Sequence, residues 1–271
     1  LKIRKVHAIY FSPTGTTEKV ANAIAAGTGL PYESIDLTRF KDRKTLRHSF
    51  SKNELVIAGA PVYGGRIPRN LDDFFSGLSG NGAPAVALAV YGNREYEDAL
   101  IEMKIQLEER RFQVIAGAAF IGEHTFSKKI AAGRPDANDL KIAGEFGGRV
   151  ISEIDRAMSR KLTVKGNYPY TVRGFDPKNP GPVIGAALVT ANEDCTLCGV
   201  CGEECPWGAI TVGDAVSIDY TRCLRCLRCM RVCPALALEI NNPNVYVALA
   251  KFEEWLSGRH REPELFFLND I

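Results

Sequence analysis

Apolar positions recur with two periods along the first 160 residues. Val6 to Phe11 is a mostly apolar run of strand length, and Thr16 to Ala26 follows with Val20, Ala21, Ile24 and Ala25 on one helical face before Gly27. Tyr32 to Leu37 predicts a weaker strand, and Leu55 to Ala60 a buried one. Pro68 opens a helix whose face carries Leu71, Phe74, Phe75 and Leu78. Ala85 to Val90 predicts a fourth strand, Glu95 to Arg111 a helix with Tyr96, Leu100, Met103 and Leu107 on one side, and Val114 to Phe120 a fifth strand. Asp139 to Arg160 predicts a long helix with Leu140, Ala143, Gly147, Val150, Ile154 and Met158 inward. Five strands separated by helices predict an α/β fold with a doubly wound parallel sheet.

The rhythm stops after Arg160. Residues 161–190 hold Pro169, Pro177, Pro180 and Pro182 with no sustained period, yet Tyr168, Tyr170, Val172 and Phe175 are too apolar for a free linker. This stretch is expected to be a connector packed against the first domain, residues 1–160. A small second domain at 191–242 follows, and then a C-terminal segment, 243–271, with Val245, Ala248, Leu249, Phe252 and Leu256 at the spacing of a docking helix.

Composition narrows the class without naming a chemistry. The 271 residues are 45% hydrophobic and 24% charged, with a formal charge of +2. The part up to residue 160 has 23 basic against 19 acidic residues, and the rest 11 against 13, so neither half presents a nucleic-acid surface. No apolar run reaches the roughly 18 residues of a membrane span. Leu1 to Phe11 lacks the pattern of a signal peptide, and a cytoplasmic location is the expectation. Thiols there stay reduced unless catalytic or metal-bound.

That matters because all eight cysteines lie between Cys195 and Cys233. Cys195-x2-Cys198-x2-Cys201-x3-Cys205-Pro206 is repeated as Cys223-x2-Cys226-x2-Cys229-x3-Cys233-Pro234. A 4Fe-4S cube needs four thiolates, a tight loop offers three, and the fourth must come from elsewhere. Zinc sites, built from paired Cys-x2-Cys knuckles, have no need of the third cysteine or of the Cys-Pro that follows. Gly199, Gly202, Gly208 and Ala209 let amides approach cluster sulfurs, and Val200, Ile210, Val212, Val216, Ile218, Leu236, Leu238 and Ile240 are the expected apolar shell. Trp207 is expected as cluster cover or at a domain interface. Arg222, Arg225, Arg228 and Arg231 recur every three residues and form either a positive field that tunes a cluster or docks an acidic partner, or a solvated rim.

A second chemical signal is Ser12-Pro13-Thr14-Gly15-Thr16-Thr17, between the first strand and first helix. Ser12, Thr14, Thr16, Thr17 and the Gly15 amide can all donate to a phosphate at a helix start. A simple cap needs one hydroxyl, and this turn has four. It has neither a Walker lysine nor G-x-G-x-x-G spacing. With the five-strand pattern this turn resembles the phosphate loop of flavodoxins, which implies that Pro61-Val62-Tyr63-Gly64-Gly65-Arg66 after the third strand and Tyr91-Gly92-Asn93-Arg94-Glu95-Tyr96 after the fourth supply stacking and edge contacts to a flavin ring. On that resemblance Arg66 and Arg94 either favour reduced flavin or form surface ion pairs. His124, after the fifth strand, is either a proton donor over the pocket or a hydrogen-bonding loop residue. His7, His48 and His260 have no partners in sequence.

The phosphate turn within this strand pattern resembles flavodoxins, and the cysteine repeat resembles bacterial dicluster ferredoxins. From about residue 4 to 240 the chain resembles the flavodoxin–ferredoxin fusion family of anaerobic bacteria and archaea, the ferrodoxins. The resemblance implies a flavodoxin-like five-stranded sheet with FMN, and a small α+β domain with two 4Fe-4S clusters. In the bacterial pattern each motif lends its last cysteine to the other cube, giving Cys195, Cys198, Cys201 and Cys233 on one and Cys223, Cys226, Cys229 and Cys205 on the other. The expected function is electron transfer between clusters and FMN, serving redox partner proteins. An FMN-dependent reductase of a small organic acceptor or quinone is the alternative, and a redox sensor a third class. No catalytic residue is assigned. Transfer between the chains of a homodimer is expected if the cofactors of one chain lie too far apart.

Overall fold

The computed structural model describes residues 1–69, 71–158, 161–181 and 185–268, so the expected helix end at Arg160 and the connector's Pro182 lie outside it. The first domain runs β1 (Lys5–Tyr10), α1 (Thr16–Gly27), β2 (Tyr32–Asp36), α2 (Phe40–Thr45), β3 (His48–Ser49), β4 (Glu54–Pro61), α3 (Asp72–Ser76), β5 (Leu78–Ser79), β6 (Pro84–Tyr91), α4 (Ala99–Glu109), β7 (Gln113–Ile121) and α5 (Ala137–Ala157). After the connector come β8 (Val189–Ala191), α6 (Val200–Glu203), β9 (Ile210–Val212), β10 (Val216–Ile218), α7 (Arg228–Val232), β11 (Leu238–Ile240), α8 (Pro243–Trp255) and β12 (Glu264–Phe266).

The main sheet has the order β12-β7-β6-β4-β1-β2. Five of its strands are parallel, with the chain reversing direction across the sheet between β1 and β4, which places the loops after β1, β4 and β6 side by side at one end. Successive side chains alternate between faces. Val6, Ala8 and Tyr10 join Val20, Ile24, Phe146 and Val150 under α1 and α5. Ile9, Phe11, Val56 and Ala58 join Leu100, Met103 and Leu107 of α4 on the other face. The α1–α5 contact depends on glycine: a Cβ on Gly147 would stand 2.0 Å from the Ile24 carbonyl oxygen.

Three sequence expectations change. The Pro68 helix shrinks to α3, because Leu78 enters β5 and pairs with β3. The helix expected from Glu95 begins at Ala99, because Glu97 is left-handed at φ 44°. A sixth strand, β12, pairs antiparallel with β7, Leu265 opposite Ala118.

The second domain contains two short antiparallel pairs, β9 with β10 and β8 with β11. Its Trp207, Leu224 and Ile240 share one apolar core with Phe11 and Leu37 of the first domain. Trp207 stands edge-on to Phe11 at 5.5 Å between ring centres. Leu236, expected in the cluster shell, is 77% exposed, because the left-handed turn at φ 53° carries it outward.

Candidate functional site

A cavity of about 570 Å³ opens where the loops after β1, β4, β6 and β7 meet the second domain. Such a volume is typical of small-molecule and cofactor sites. Thr14, Thr16, Pro61, Val62, Tyr63, Gly64, Gly65, Tyr91, Gly92 and Arg94 line it. Ser12, Gly15, Thr17, Asn93 and Tyr96 are not among the lining residues.

The turn below Thr14 and Thr16 fits a phosphate. Gly15 supplies the left-handed corner at φ 82° that begins α1, and it carries no capping side chain. The Ser12 hydroxyl accepts from the Glu18 amide at 3.0 Å, so it acts inside the helix start. Thr17 is fully buried and its Oγ1 has no partner. A buried hydroxyl without a hydrogen bond is costly, and a phosphate oxygen above the turn would satisfy it.

Two sequence candidates point elsewhere. Tyr96 is fully buried, and its hydroxyl donates to Glu264 Oε2 of β12 at 2.7 Å. Asn93 is buried and donates to the Arg259 carbonyl at 2.8 Å. Both ring-contact expectations fail because these groups tie the C-terminal segment to the sheet. Arg66 and Arg94 prove to be paired, Arg66 held bidentately by Glu102 and Arg94 by Glu97 at 2.9 and 2.7 Å. Their charge is therefore offset by a carboxylate beside it.

The remaining walls come from segments whose sequence gave no such signal: Gly174, Phe175 and Asp176 of the connector, and Val245, Ala248, Leu249 and Phe252 of α8. Asn242 caps α8, accepting from the Asn244 amide at 3.1 Å, and Pro243 starts it. His124 packs 5.3 Å from the Phe252 ring, and burial, with the Arg94 charge, lowers its pKa to about 4. Its Nδ1 accepts from the Phe126 amide at 3.3 Å, which leaves the ring proton on Nε2. Gly92 makes room, since a Cβ there would meet His124 Cδ2 at 2.6 Å.

Leu224 and Arg225 also line the cavity, and they lie between Cys223 and Cys226. Tyr63 lines the cavity, and burial, with the Cys226 sulfur, pushes its hydroxyl well above the ordinary pKa. Cys223, Cys226 and Cys229 each feel Cys205 as a neighbour, with burial raising all three thiols and Cys229 to about 12. Cys195, Cys198, Cys201 and Cys233 line a separate cleft backed by Val212, Val216 and Leu238. All eight cysteines are free thiols.

The backbone repeats with the cysteines. Leu197 and Arg225 are left-handed at φ 55° and 54°, as are Gly199 and Leu227 at 82° and 57°, and Gly208 and Leu236 at 55° and 53°. Each pair occupies equivalent positions of the two motifs. Ala209 donates to Cys205 Sγ at 3.3 Å, and Ala237 to Cys233 Sγ at 3.4 Å. Left-handed non-glycine residues are costly, and turns of this kind aim backbone amides into concavities that suit an anion, as those of Ala209 and Ala237 are aimed at cysteine sulfurs. The donor set and the amide contacts fit iron–sulfur clusters.

Residues 8–131 match the family model described as a flavodoxin domain, and residues 194–237 the one described as a 4Fe-4S dicluster domain. The chain has the architecture of a flavodoxin–ferredoxin fusion. A flavodoxin domain implies FMN and the dicluster domain implies iron–sulfur clusters, and the two together support a flavin and iron–sulfur electron-transfer protein. No curated protein matches the fusion. Among solved structures it is similar to an archaeal flavodoxin, with 15% identity over 56% of this chain and 99% of that one and a TM-score of 0.40. Flavodoxin 1 of Bacillus cereus gives 18%, 55%, 97% and 0.37. The rubredoxin oxygen:oxidoreductase of the anaerobe Desulfovibrio gigas gives 14%, 59%, 38% and 0.40. At these identities the likeness says nothing of activity. None of the helices described is long and apolar enough to cross a membrane.

Of the four regular arginines, Arg225 is buried and Arg228 half-buried, while Arg222 and Arg231 are exposed. Arg228 pairs with Glu204 and donates to the Pro13 carbonyl at 3.2 Å, Arg222 donates to the Trp207 carbonyl at 2.8 Å, and Arg225 is buried. Arg228 thus ties the second domain to the first, and Arg231 lies 3.9 Å from Glu123 of the first domain. At the far end of the sheet His7 is hydrogen-bonded to Glu33 and Glu54 at 2.9 Å each.

Proposed function

We propose that the fusion passes electrons between a redox protein and FMN through two 4Fe-4S clusters in series. The outer cluster is held by Cys195, Cys198, Cys201 and Cys233, and the inner one by Cys223, Cys226, Cys229 and Cys205. One observation carries the reading: the Cys223–Cys226 loop contributes Leu224 and Arg225 to the same cavity as the phosphate turn. An inner cluster there would abut the flavin within one chain. The outer set is the natural entry, since Cys198 is exposed while Cys226 is buried. The phosphate of FMN would rest on Thr14, Gly15, Thr16 and Thr17, and Tyr63 would lie between ring and inner cluster. FMN supplies two-electron capacity and each cluster one-electron capacity, so the protein would couple the two regimes.

The rim of the outer set defines its partner. Residues 185–221 contain no Lys or Arg, and Glu193, Asp194, Glu203 and Asp214 are exposed. A partner with a basic face fits this rim, and its association rate should fall with ionic strength.

Anaerobic reconstitution with iron, sulfide and FMN should give about eight iron atoms and one flavin per chain. Zinc without flavin would overturn the proposal. After rapid mixing with a one-electron donor, cluster bleaching should precede flavin reduction at a rate independent of protein concentration. A rate rising with concentration would instead indicate transfer between separately diffusing molecules.

The apolar wall of Val245, Ala248, Leu249 and Phe252 favours a second reading, in which FMN reduces a small organic acceptor inside the cavity. Saturable turnover with one acceptor under anaerobic conditions would establish it; equal reduction of many carriers supports the shuttle.

A further inference from the structure

We infer that Arg43 and Arg225 are fixed counter-charges of the inner cluster, two guanidiniums without carboxylate partners that raise the reduction potential of that cluster and leave the outer one untouched. The inference rests on the two-cluster reading above.

Arg43 belongs to α2 of the flavodoxin domain and is 1% exposed. Its Nη1 donates to the carbonyls of Leu37 at 2.9 Å and Thr38 at 2.7 Å, and its Nη2 to that of Pro206, the residue after Cys205. The guanidinium lies 4.5 Å from the Trp207 ring centre and 5.2 Å from that of Phe11. Nε has no partner. Asp42 is bonded instead by Arg39 at 2.7 Å, and Asp73, the carboxylate whose charge acts most on Arg43, forms no ion pair with it among the described residues. Burial lowers the Arg43 pKa to about 10, which leaves it a cation at neutral pH.

Arg225 repeats the arrangement on the other side. It is buried, its Nη1 donates to the carbonyls of Tyr220 at 3.3 Å and Cys223 at 2.9 Å, and its Nε has no partner. Among the described residues neither arginine has an ion pair. Carbonyl oxygens satisfy N–H groups without cancelling a net charge, and an unpaired buried cation is costly. An anion beside both would remove that cost. Arg43 holds the carbonyl of Pro206, next to Cys205, while Arg225 holds that of Cys223 and donates its own amide to Cys223 Sγ at 3.4 Å, so both cations sit beside residues of one set.

A cluster bound by four thiolates is already anionic, and reduction adds one electron and one further negative charge. A neighbouring cation therefore favours the reduced state more than the oxidised one. Burial works in the opposite direction, since it disfavours the more charged state. The two arginines offset it, and an electron arriving at the acid-rimmed outer cluster is drawn inward toward the flavin. Arg43 acts through its charge alone, whereas Arg225 also lines the cavity.

The test is an EPR-monitored redox titration of the reconstituted protein, comparing wild type with Arg43→Met, Arg225→Gln and Arg43→Lys. Wild type must first show two reducible clusters; a single one would refute the underlying reading and not this inference. With two present, Arg43→Met and Arg225→Gln should each lower the same one of the two potentials. Arg43→Lys should hold it near the wild-type value although it loses the planar hydrogen-bond fork. Because the charges are buried, the shifts should persist at high salt. Unchanged potentials, equal shifts in both clusters, or a Lys variant that behaves like Met would overturn the inference. Flavin content and unfolding midpoints identify a variant that fails to fold, in which case Arg225→Gln carries the test.

Discussion

Thr171 donates its backbone amide to the carboxylate of Asp98 at 2.7 Å, and thereby anchors the connector to the start of α4. Asp98 also accepts from the amides of Asn167 at 2.8 Å and Val172 at 3.2 Å. A single fully buried carboxylate thus holds the segment that continues into Gly174 and Phe175 at the cavity wall. Asp98→Ala should lower stability by about 3 kcal/mol, since it leaves several charge-assisted donors unpaired. FMN affinity should fall with it while iron content stays constant. Denaturant unfolding and flavin titration measure the two effects. Burial opposes ionisation of Asp98, yet the hydrogen bonds prevail and its pKa is lowered. Its stabilisation is therefore present above the ordinary carboxylate pKa and lost as pH falls through the depressed value.

Thr17→Val should separate cofactor binding from folding. The valine has nearly the same shape and removes a buried hydroxyl that no protein group satisfies. The apo protein should be as stable as wild type or more so, while FMN binding weakens about tenfold, or 1.4 kcal/mol. Equal affinity for FMN would mean that this hydroxyl does not face the phosphate.

His124 should make stability depend on pH without acting as a physiological proton switch. Its pKa in the fold is about 4, below the ordinary 6.5. Above the ordinary value the neutral ring costs nothing. Between 6.5 and 4 the unfolded chain takes up a proton that the folded chain refuses, and roughly 3 kcal/mol is lost across that window. His124→Phe should flatten this part of the profile, read from urea midpoints at neutral and acid pH. A slope that survives the substitution would assign it to another group.

The exchange of last cysteines is open to a direct genetic test. Cys205→Ser and Cys226→Ser should impair one EPR signal of the reduced protein, and Cys233→Ser the other. Loss of the same signal in Cys205→Ser and Cys201→Ser would mean that each motif ligates its own cube.

The sheet was legible in sequence because β4 and β6 are buried on both faces and read as apolar runs. The phosphate turn and the cysteine repeat were legible because hydroxyl density and thiol spacing are local properties. Tyr96 misled, since an aromatic residue in a βα loop looks the same whether it turns toward a cofactor or, as here, toward Glu264. Arg43 was invisible for a related reason: Lys41-Asp42-Arg43-Lys44 reads as a solvated charge run, and only the arrival of Pro206 and Trp207 buries its third member. The cavity walls from the connector and α8 likewise exist only through tertiary pairing.

Strand β12 gives the ferredoxin module an unusual topological status. Glu264 to Phe266 complete the edge of a sheet whose neighbouring strand β7 ends at Ile121, so the second domain is enclosed between two pieces of the first. On the ribosome, the flavodoxin sheet would keep β7 as an open, pairing-competent edge until more than a hundred further residues had emerged. The order of assembly is then set by the chain itself: the cysteine loops are in place before the last strand seals the border, and separating the two modules at the connector would leave that border unprotected.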